Sequence, residues 1–318
     1  MSQYNSPHQP RISVLLPIHN GEEYVRESIV SILSQDIDDF ELIVCDDGST
    51  DSTRSILESC KDSRCRLLIN KEKRGLFVSL NRLMPEARAP LVHLFSHDDR
   101  MLPNCLERTC DFASRHPDVG LIYSEMHFID SKGHRAPETG RIDNTPPVVS
   151  PLLAAQIMFY FGSIAGNIAN VTLRKAAFEN VGRFREDLLL SGDYEYWTRL
   201  SERYPIGFQR ERLIELRVHD NQFSKQRSSA LRYLKENTEV YDRLFARLPA
   251  AEIERARHFR RWVIDVNTFH QAVLIAKNAH PRAALEAFRL VRQTGRVLPL
   301  AFRWLISQNG RRVERPEL

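Results

Sequence analysis

The order of apolar and polar positions along the chain predicts short buried strands that alternate with helices. The apolar run RISVLLP predicts a strand that ends at Pro17, because continuous apolar runs are typical of parallel strands covered on both faces. The runs FELIVC, CRLLIN and PLVHLFS predict three more strands. Between them, helical patterns cover residues 22–35, 52–59 and 76–87, and several capping residues precede the second of these.

The pattern after Pro103 is less regular. It predicts a helix to about Arg115, a strand at VGLIYSEMHFID, a loop over 136–150 and a helix near 152–160. The segment GSIAGNIANVTLRKAAF predicts a small-residue loop, a strand and the start of a helix. SGDYEYWTRLSERYP predicts a short helix, and IGFQRERLIELRVH one or two strands. The remainder is helical in pattern from about Ser228, with breaks at prolines 249, 281 and 299.

Four successive strand-helix units predict an α/β protein with an open, mostly parallel sheet flanked by helices. The polar clusters PIHN, CDDGS and SHDD each follow a predicted strand. Ligands of open α/β sheets bind at the carboxyl ends of the strands, so these clusters are the first candidates for a functional site.

Two of these clusters contain adjacent carboxylates. Asp98 and Asp99 repel each other unless positive charge lies nearby, and a hard divalent cation with oxygen ligands would supply it. A helix N-cap before Pro103 or a solvated turn is the alternative interpretation. For Asp46 and Asp47 the alternative is an Asp-Gly turn followed by a capping residue, which needs no ligand.

The ordered motifs SVLLPIHN, SILSQ, FELIVCDDGSTD, Gly75 to Asn81, SHDD and GDYEYW resemble family 2 glycosyltransferases of GT-A fold. The resemblance covers roughly residues 11–224. It implies a Rossmann-like nucleotide-binding half over 11–125, an acceptor half over 126–224 and a basic helical extension over 225–318. Residues 1–10 form a polar tail before the domain.

The resemblance implies a nucleotide diphosphate sugar as donor, with UDP first and dTDP or GDP as alternatives. Pro17, His19, Asn20 and Glu22 would surround the nucleoside, and Asp47 would accept a hydrogen bond from the base. The family commonly has Tyr where this chain has His19, whose imidazole can still stack on a base. Asp98 would contact the ribose or the diphosphate. Arg74 and Arg217 are candidate diphosphate contacts, with a solvated loop and a surface ion pair as the respective alternatives.

The resemblance also implies a divalent metal, Mg²⁺ or Mn²⁺, held by Asp99 and His219, and makes Asp193 the base for the acceptor hydroxyl. A positioned carboxylate contributes about a hundred- to ten-thousand-fold to such a proton transfer. From the residues alone, Asp193 is an N-cap of the helix that contains Trp197, which is compatible with the first role, and Glu195 is the alternative base. The loop 162–170 would lie where the acceptor enters.

These parts predict an inverting, metal-dependent glycosyltransferase that acts on a glycan or lipid-linked acceptor, for example in cell-surface polysaccharide synthesis. A catalytically inactive nucleotide-sugar-binding or membrane scaffold protein is the alternative. A nucleotidyltransferase would have a Gly-rich phosphate loop after the first strand, whereas PIHNGEEYV has a single Gly.

The charge is unevenly distributed along the chain. Residues 225–318 contain 19 Lys and Arg against 9 Asp and Glu, whereas residues 1–224 contain 26 against 32. A basic helix with Phe302, Trp304 and Leu305 would lie at an anionic membrane surface, and a helical cap with a solvated Arg face is the alternative. The tail has no nucleic-acid-binding motif beyond its charge, so nucleic acid is not an expected partner.

No run approaches the roughly 20 apolar residues of a membrane-spanning helix, and the polar start lacks the apolar core of a signal peptide. We therefore expect a cytoplasmic protein that is either free or peripheral at the inner face of the membrane. The five cysteines are an odd number, which favours reduced thiols, with zinc binding by Cys60, Cys65, Cys105 and Cys110 as an alternative.

Overall fold

A computed structural model describes residues 9–137, 144–219 and 230–278, together with positions 285, 286, 288, 289 and 291. The chain divides into two compact units. The first unit comprises Met1–Ala154 and Ala165–His219, and the second comprises Ala155–Ile164 and Asp220–Leu318. The predicted boundary between residues 224 and 225 lies outside the described residues.

The amino-terminal part of the first unit consists of alternating strands and helices, as the apolar pattern predicts. Strand β1 is a continuous buried run of seven residues, and β2 is a buried run of eight. The helices present their apolar positions to these strands, and α1 buries Val25, Ile29 and Ile32. The elements are β1 (Ile12–Ile18), α1 (Val25–Leu33), β2 (Phe40–Asp47), α2 (Thr53–Glu58), β3 (Cys65–Asn70), α3 (Leu76–Leu83) and β4 (Leu91–Leu94).

The rest of the first unit is more mixed. A 3-10 turn follows α3, and another, Ile168–Asn170, precedes β8. The predicted strand IGFQRERLIELR is one long strand, β9, and its register against β6 shifts near Ser124 and Glu125. The elements are β5 (Arg100–Met101), α4 (Cys105–Arg115), β6 (Leu121–Ile129), β7 (Val148–Val149), β8 (Val171–Arg174), α6 (Lys175–Val181), α7 (Gly192–Leu200) and β9 (Ile206–Arg217). Helix α5 (Pro151–Phe161) begins in this unit, and its residues from Ala155 onward belong to the second.

In the described residues these strands form one nine-stranded sheet with the order β3-β2-β1-β4-β8-β6-β9-β5, and β7 also pairs with β9. Strands β1 to β4 pair in parallel, as do β6 and β9. The other pairs, with β8 between β4 and β6, are antiparallel. The carboxyl ends of β1, β2 and β4 therefore lie at one edge of the sheet, which confirms the predicted α/β fold and positions the polar clusters together.

Strand β1 continues through Pro17 to Ile18, one residue beyond the predicted end. The amide of Phe95 donates to the carbonyl of Leu15. Alternate residues of a strand direct their backbone groups to the same neighbouring strand, so Leu15 and Pro17 both direct theirs towards β4. The pairing of β1 with β4 ends at Leu15 and Leu94. Since no β4 residue lies beyond that point to accept a hydrogen bond, the missing amide of Pro17 interrupts no ladder.

The described part of the second unit is helical. Its helices are α8 (Ala230–Phe245), α9 (Ile253–Phe259) and α10 (Asp265–Asn278), and a π-helical stretch, Arg260–Ile264, joins the last two. The predicted break at Pro249 is confirmed, while those at residues 281 and 299 lie outside the described residues. The core of this unit contains a cluster of aromatic rings, namely Phe159, Tyr160, Tyr241, Phe245 and Phe259.

Within the described residues, no helix has the length and apolar content needed to cross a bilayer. The segment with Phe302, Trp304 and Leu305 lies outside these residues.

Candidate active site

The loops that follow β1 and β2 hold each other by reciprocal hydrogen bonds. The amide of Asn20 donates to Ser49 Oγ at 3.0 Å, and Asn20 Oδ1 accepts from the amide of Thr50 at 2.9 Å. Asn20 has a φ of 51°, in the left-handed region that Asn tolerates better than most residues. The side chain of Asn20 therefore fixes the backbone of the neighbouring loop.

Three further hydrogen bonds continue this contact towards α2. The amide of Gly21 donates to Thr53 Oγ1 at 2.8 Å. The amide of Glu22 donates to Asp51 Oδ2 at 3.2 Å, and Glu22 Oε2 accepts from the amide of Ser52 at 2.9 Å. Glu22 is exposed, but its carboxylate caps backbone donors at the start of α2, where negative charge is favourable.

The predicted nucleoside residue His19 contacts the end of β2. Its Nδ1 lies 2.9 Å from the carbonyl oxygen of Asp47. A carbonyl only accepts, so Nδ1 carries the proton, and Nε2 of the neutral ring is an acceptor. Pro17, two residues earlier, lies within β1 opposite Cys45.

Asp47 is buried, and its carboxylate holds the segment that follows β3. Its Oδ1 accepts from Asn70 Nδ2 at 2.6 Å and from the amide of Arg74 at 2.9 Å, and its Oδ2 accepts from the amide of Gly75 at 2.8 Å. The side chain of Arg74 is exposed and lies 3.7 Å from Glu72. Asp46 Oδ1 accepts from the amide of Ser49 at 3.0 Å, so the predicted Asp-Gly turn is present.

The turn after β4 contains Asp98, whose carboxylate has three neighbours. Ser96 Oγ donates to Oδ1 at 2.7 Å, His97 Nδ1 lies 3.5 Å from the same oxygen, and His219 Nε2 lies 3.1 Å from Oδ2. Burial by itself raises the pKa of Asp98. The charge of His97, the Ser96 hydrogen bond and His219 outweigh burial and lower the pKa of this carboxyl below its ordinary value.

Asp99 is in the opposite situation, although it is the adjacent residue. It is 4% exposed, and its Oδ1 accepts a hydrogen bond from the amide of Arg217 at 2.8 Å. Burial, followed by the charge of Asp98, raises the pKa of Asp99 well above its ordinary value, and Arg217 opposes this only in part. The fold thus contains a dry carboxylate whose negative charge is incompletely compensated, and a bound cation would compensate it.

Arg217, at the end of β9, is 1% exposed and lies behind the two carboxylates. Its Nε donates to the carbonyl of Asp98 at 2.8 Å, and its Nη1 donates to the carbonyls of Asp130 and Ser131. Its Nη2 donates to Glu27 at 2.6 Å. Every nitrogen of this guanidinium therefore has an internal acceptor, and Arg217 ties the turn after β4 to the ends of β6 and β9.

His219 is largely buried, with 14% of its side chain exposed. Its Nδ1 has no hydrogen-bond partner in the part of the chain that the structure describes, and it is not accessible to solvent. Its ring packs on Tyr24, with the ring centroids 5.5 Å apart. A buried nitrogen without a partner is costly, so this position is suited to a ligand or ion that contacts it.

The donors at this position fit a divalent cation that also binds a substrate. No cluster of three or more His, Cys, Asp or Glu side chains suited to a metal is found in the described residues. Mg²⁺ and similar hard cations commonly use one or two carboxylates together with waters and substrate phosphates, rather than a cage made only of protein. Two adjacent carboxylates, one of them with uncompensated charge, match that requirement.

Asp193 lies in the first turn of α7, which begins at Gly192 with Ser191 as its N-cap residue. The prediction that Asp193 is the N-cap is therefore wrong, because the helix starts two residues earlier than an N-cap at Asp193 requires. A Cβ at Gly192 would lie 2.5 Å from the ring of Phe77, so Gly permits this close packing on α3. The amide of Tyr194 donates to Asp193 Oδ1 at 2.7 Å.

Glu195, the alternative base, is 4% exposed and forms an ion pair within α7. Arg199 donates to Oε1 through Nε at 2.9 Å and to Oε2 through Nη2 at 3.0 Å. This two-pronged contact binds both oxygens of the Glu195 carboxylate to a permanent positive charge.

The predicted acceptor loop 162–170 is divided between the two units after Ile164. In the first unit, the buried side chain of Asn170 donates through Nδ2 to the carbonyls of Ser124 and Ala165, at 2.7 and 3.1 Å. Gly166 has a φ of 72°, which Gly adopts without strain. The end of the loop is therefore anchored to β6.

The five cysteines are free thiols. Cys105 and Cys110 lie on α4 and are buried, and burial raises the pKa of each, to about 11 for Cys110. Cys60 and Cys65 are half-buried neighbours, and burial with the charge and hydrogen bond of Cys60 raises the pKa of Cys65 to about 12. Thiols with raised pKa values are poor metal ligands at neutral pH.

The structure brings the predicted site residues other than Asp193 into two groups. Asp98, Asp99, Arg217 and His219 form one group, although β4 and β9 are far apart in sequence. A second group lies at the ends of β1 and β2 and contains Pro17, His19, Asn20, Glu22, Asp47 and the backbone of Arg74. Asp193 lies apart from both in sequence, on α7.

Sequence reasoning missed two residues of the first group, Tyr24 and Glu27. Both belong to the start of α1, and Glu27 is an acidic residue in its first turn. Carboxylates are typical of helix starts, so nothing in the sequence distinguishes Glu27 as a partner of Arg217. Only the pairing of β9 with β6 and β5 brings Arg217 to this helix.

Comparisons with known proteins match this arrangement. The profile of the family described as Glycosyl transferase family 2 matches residues 13–177. An uncharacterized glycosyltransferase of Rickettsia typhi is 28% identical over 253 residues, which cover 77% of this chain and 75% of the relative. The glycosyltransferase EpsE of Bacillus subtilis is 30% identical over 222 residues, covering 68% of this chain and 76% of the relative.

Solved structures have the same fold at low sequence identity. S. aureus TarS 1-349 in complex with UDP has a TM-score of 0.65 at 16% identity and covers 97% of this chain and 94% of that chain. The complex of TarS 1-349 with UDP-GlcNAc has a TM-score of 0.64 at 17% identity, covering 94% and 92%. The mannosyltransferase PcManGT from Pyrobaculum calidifontis, in complex with GDP-Man and Mn2+, has a TM-score of 0.56 at 15% identity, covering 95% and 89%.

Proposed function

The chain belongs to glycosyltransferase family 2, and on that basis we propose that it transfers a sugar from a nucleotide diphosphate donor to an acceptor hydroxyl, with inversion at the anomeric carbon. The observation that carries this proposal is the Asp98-Asp99 pair at the carboxyl end of β4. The pair is held by Arg217 and His219 from the end of β9, beside the interlocked loops that follow β1 and β2.

The donor class is supported by the solved structures of the same fold. TarS is in complex with UDP and UDP-GlcNAc, and PcManGT with GDP-Man. We propose a UDP-sugar first, with GDP and dTDP as alternatives. Pro17, His19, Asn20 and Glu22 would surround the nucleoside. Asp47 uses three of the four lone-pair positions of its carboxylate inside the protein, so one remains for the base.

A divalent metal, Mn²⁺ or Mg²⁺, would be held by Asp99 and His219 together with the donor diphosphate. Support comes from the incompletely compensated charge of Asp99, the unpartnered Nδ1 of His219 and the Mn2+ in PcManGT. When bound, such an ion supplies positive charge at the leaving diphosphate. Asp98 would then contact the ribose or the diphosphate.

The two arginines named from the sequence would have different roles. The exposed side chain of Arg74 is available to the diphosphate, since its backbone alone is bound to Asp47. Arg217 is enclosed by internal acceptors, so we propose that it positions Asp98 and Asp99 and does not touch the diphosphate. Its side chain would have to break several buried hydrogen bonds to reach a ligand.

Asp193 would be the base. Its carboxylate accepts the proton of the acceptor hydroxyl as that oxygen attacks the anomeric carbon from the face opposite the leaving group. The bond from carbon to the diphosphate oxygen breaks as the new glycosidic bond forms, and no covalent intermediate is needed. The first turn of α7 favours the ionised form of this carboxylate, and the pairing of Glu195 with Arg199 supports Asp193 over Glu195.

The acceptor would be a glycan or a lipid-linked sugar, in cell-surface polysaccharide or other glycan synthesis. For a lipid-linked acceptor, the basic tail would contact the inner face of the membrane. Sedimentation with anionic liposomes, before and after deletion of residues 296–318, tests this contact. We expect the deletion to lower the bound fraction, and unchanged binding would remove this role from the segment.

The test of the function is a release and transfer assay with UDP-, GDP- and dTDP-sugars, with and without Mn²⁺, and with candidate acceptors. We expect nucleoside diphosphate release by the wild type with at least one donor. Asp193→Ala should lower kcat by about a hundred- to ten-thousand-fold. Asp187→Ala is the matched control, because Asp187 is an exposed carboxylate shortly before α7 that pairs with Arg185.

Two outcomes would contradict the proposal. If the wild type releases no nucleoside diphosphate from any donor under these conditions, the transfer activity is not that of this chain. If Asp193→Ala transfers sugar as fast as Asp187→Ala, another residue is the base.

A further inference from the structure

Tyr24 occupies the point at which the loop after β1 enters α1. The amides of Tyr24 and Val25 both donate to the carbonyl of Gly21, and the carbonyl of Tyr24 accepts from the amide of Ser28. Gly21 is in turn bound to Thr53. The backbone of Tyr24 is therefore held on both sides. This fixes the position from which its half-buried side chain extends.

The ring of Tyr24 contacts two side chains from the end of β9. The Cζ atom of Arg217 lies 4.4 Å from the ring centroid, in the geometry of a cation-π contact. The centroid of the His219 ring lies 5.5 Å from the centroid of the Tyr24 ring, and the two ring planes form an angle of 44°. A single aromatic ring thus adjoins both residues that reach the Asp98-Asp99 pair.

These two residues fix the carboxylates at different points. Arg217 donates through its amide to Asp99 Oδ1 and through Nε to the carbonyl of Asp98, each at 2.8 Å. His219 Nε2 lies 3.1 Å from Asp98 Oδ2. A change in the rotamer of Arg217 or His219 would therefore alter the backbone or the side-chain direction of the carboxylate turn.

We propose that Tyr24 is a positioning residue for sugar transfer, whose ring holds Arg217 and His219 in the arrangement that fixes Asp98 and Asp99. This inference rests on the proposed function of the same site. The physical reason is the length of the arginine side chain, whose planar guanidinium needs a flat surface to keep one rotamer. An imidazole that packs on an aromatic ring is restricted in the same way.

The contacts of Tyr24 with Arg217 and His219 are made by its ring and not by its hydroxyl. Phenylalanine should replace Tyr24 with little effect, whereas leucine and methionine supply apolar volume without a flat ring.

The kinetic test compares Tyr24→Phe, Tyr24→Leu and Tyr24→Met with the wild type, and Tyr233→Leu is the control for loss of an exposed Tyr on α8. We expect kcat to fall about 10- to 100-fold in the Leu and Met variants, with the KM of the acceptor unchanged, because small displacements of reacting groups have effects of this size. Tyr24→Phe should stay within about threefold.

A double-mutant cycle with Arg217→Lys tests whether Tyr24 acts through Arg217. If it does, Tyr24→Leu adds little to the loss caused by Arg217→Lys alone. If the double variant shows the product of the two single losses in kcat, the inference is overturned. It is also overturned if Tyr24→Leu has the kcat of the wild type. If the wild type itself transfers no sugar, the proposed function fails, and the following measurement still tests Tyr24.

That measurement is the ¹⁵N NMR signal of the Arg217 Nε–H group, which is identified by its absence in Arg217→Lys. In the wild type and in Tyr24→Phe we expect a protected signal, shifted by the ring above it. In Tyr24→Leu and Tyr24→Met it should lose this shift and exchange faster with water. An unchanged signal in both variants, with an unchanged circular dichroism spectrum, would show that the ring does not position Arg217.

Discussion

The pair Asp46-Asp47 ends β2 and the pair Asp98-Asp99 lies in the turn after β4, the two strands that flank β1, but their carboxylates have different partners. The first pair accepts hydrogen bonds from the amides of Ser49, Arg74 and Gly75 and from Asn70, so its charge is spread over donors of its own fold. The second pair includes Asp99. Burial and the charge of Asp98 disfavour its ionised form and raise its pKa well above the ordinary value.

The two pairs therefore have different main roles at the same edge of the sheet. Asp46 and Asp47 hold loops, whereas Asp98 and Asp99 are suited to a bound cation. Carboxylates whose acceptor positions are filled by backbone amides stabilise loops, because each unpaired donor would cost free energy. A buried carboxylate beside another carboxylate is costly until a cation arrives. In the first pair, internal donors stabilise the carboxylates before any ligand binds, whereas the charge of the second pair is balanced only when a cation binds. Four predictions test this comparison, from the largest expected effect to the smallest.

The largest effect is expected for Asp99→Asn. The amide oxygen of Asn can still accept from the amide of Arg217, so the fold should persist, and removal of a buried charge should maintain or raise the midpoint of thermal unfolding. Without that charge, we expect donor turnover with Mn²⁺ to fall about a thousandfold, since charge stabilisation by a metal is worth several kcal/mol. Steady-state kinetics measures this loss.

A control for Asp99→Asn is Asp46→Asn, which should keep most of the turnover. The comparison of the two pairs would be wrong if Asp46→Asn lost as much activity as Asp99→Asn.

Next in size is the loss of stability in Asp47→Ala. Truncation leaves Asn70 and the amides of Arg74 and Gly75 without their acceptor, and each such buried donor costs about 1 to 3 kcal/mol. We expect the free energy of unfolding to fall by about 3 kcal/mol in urea titrations. The corresponding truncation Asp98→Ala should cost less stability, and a larger loss in Asp98→Ala than in Asp47→Ala would reverse the assigned roles.

A third effect concerns Glu41, a buried carboxylate near the other end of β2. Its Oε1 accepts from Ser13 Oγ and the amide of Arg88, and its Oε2 accepts from Arg88 Nε and Arg66 Nη2. Burial raises its pKa, but the hydrogen bonds from Arg88 and Ser13 and the charge of Arg88 outweigh burial and lower it.

Because the folded pKa of Glu41 lies below that of the unfolded chain, its stabilisation is present above the unfolded pKa and is lost as pH falls through the folded pKa. We expect Glu41→Gln to lower the free energy of unfolding by about 1 to 2 kcal/mol at pH 7. The difference from the wild type should shrink below pH 4, in urea titrations across pH. A difference that grows on acidification would contradict the assigned sign.

The smallest effect is expected for Asp46→Asn. Asp46 needs only an oxygen that accepts from the amide of Ser49, and Asn supplies it in the same turn geometry. We expect a change in unfolding free energy below about 1 kcal/mol and unchanged turnover. A thousandfold loss of turnover in this variant would show that Asp46, and not only Asp47, contacts the donor.

Much of the fold follows from local pattern. The strand CRLLIN was predicted with the bounds of β3, and the helix that ends at Arg115 has that end in α4. These segments are continuous apolar runs or strongly amphipathic ones, for which burial on a sheet leaves little alternative. The N-cap of α7 was misplaced because Ser191 and Asp193 are both common N-cap residues, so the local pattern does not decide between them.

The candidate site was predictable to the extent that its residues stand in local motifs. The polar clusters after β1, β2 and β4 were located from strand ends alone, because parallel strands direct their carboxyl ends to one edge. The enclosure of Arg217 was not predictable, since a lone Arg after a strand has the same pattern whether it faces solvent or four internal acceptors.

The sequence by itself determined the family, the alternating α/β pattern and the identity of two carboxylate pairs at strand ends. Only the tertiary structure decided which pair has its charge satisfied, because the partners come from segments 23 to 121 residues away: Asn70 and Gly75 for Asp47, and Arg217 and His219 for Asp98 and Asp99. The pKa of a carboxylate depends on burial and on charges within a few ångströms, and these distances are set by strand order and packing.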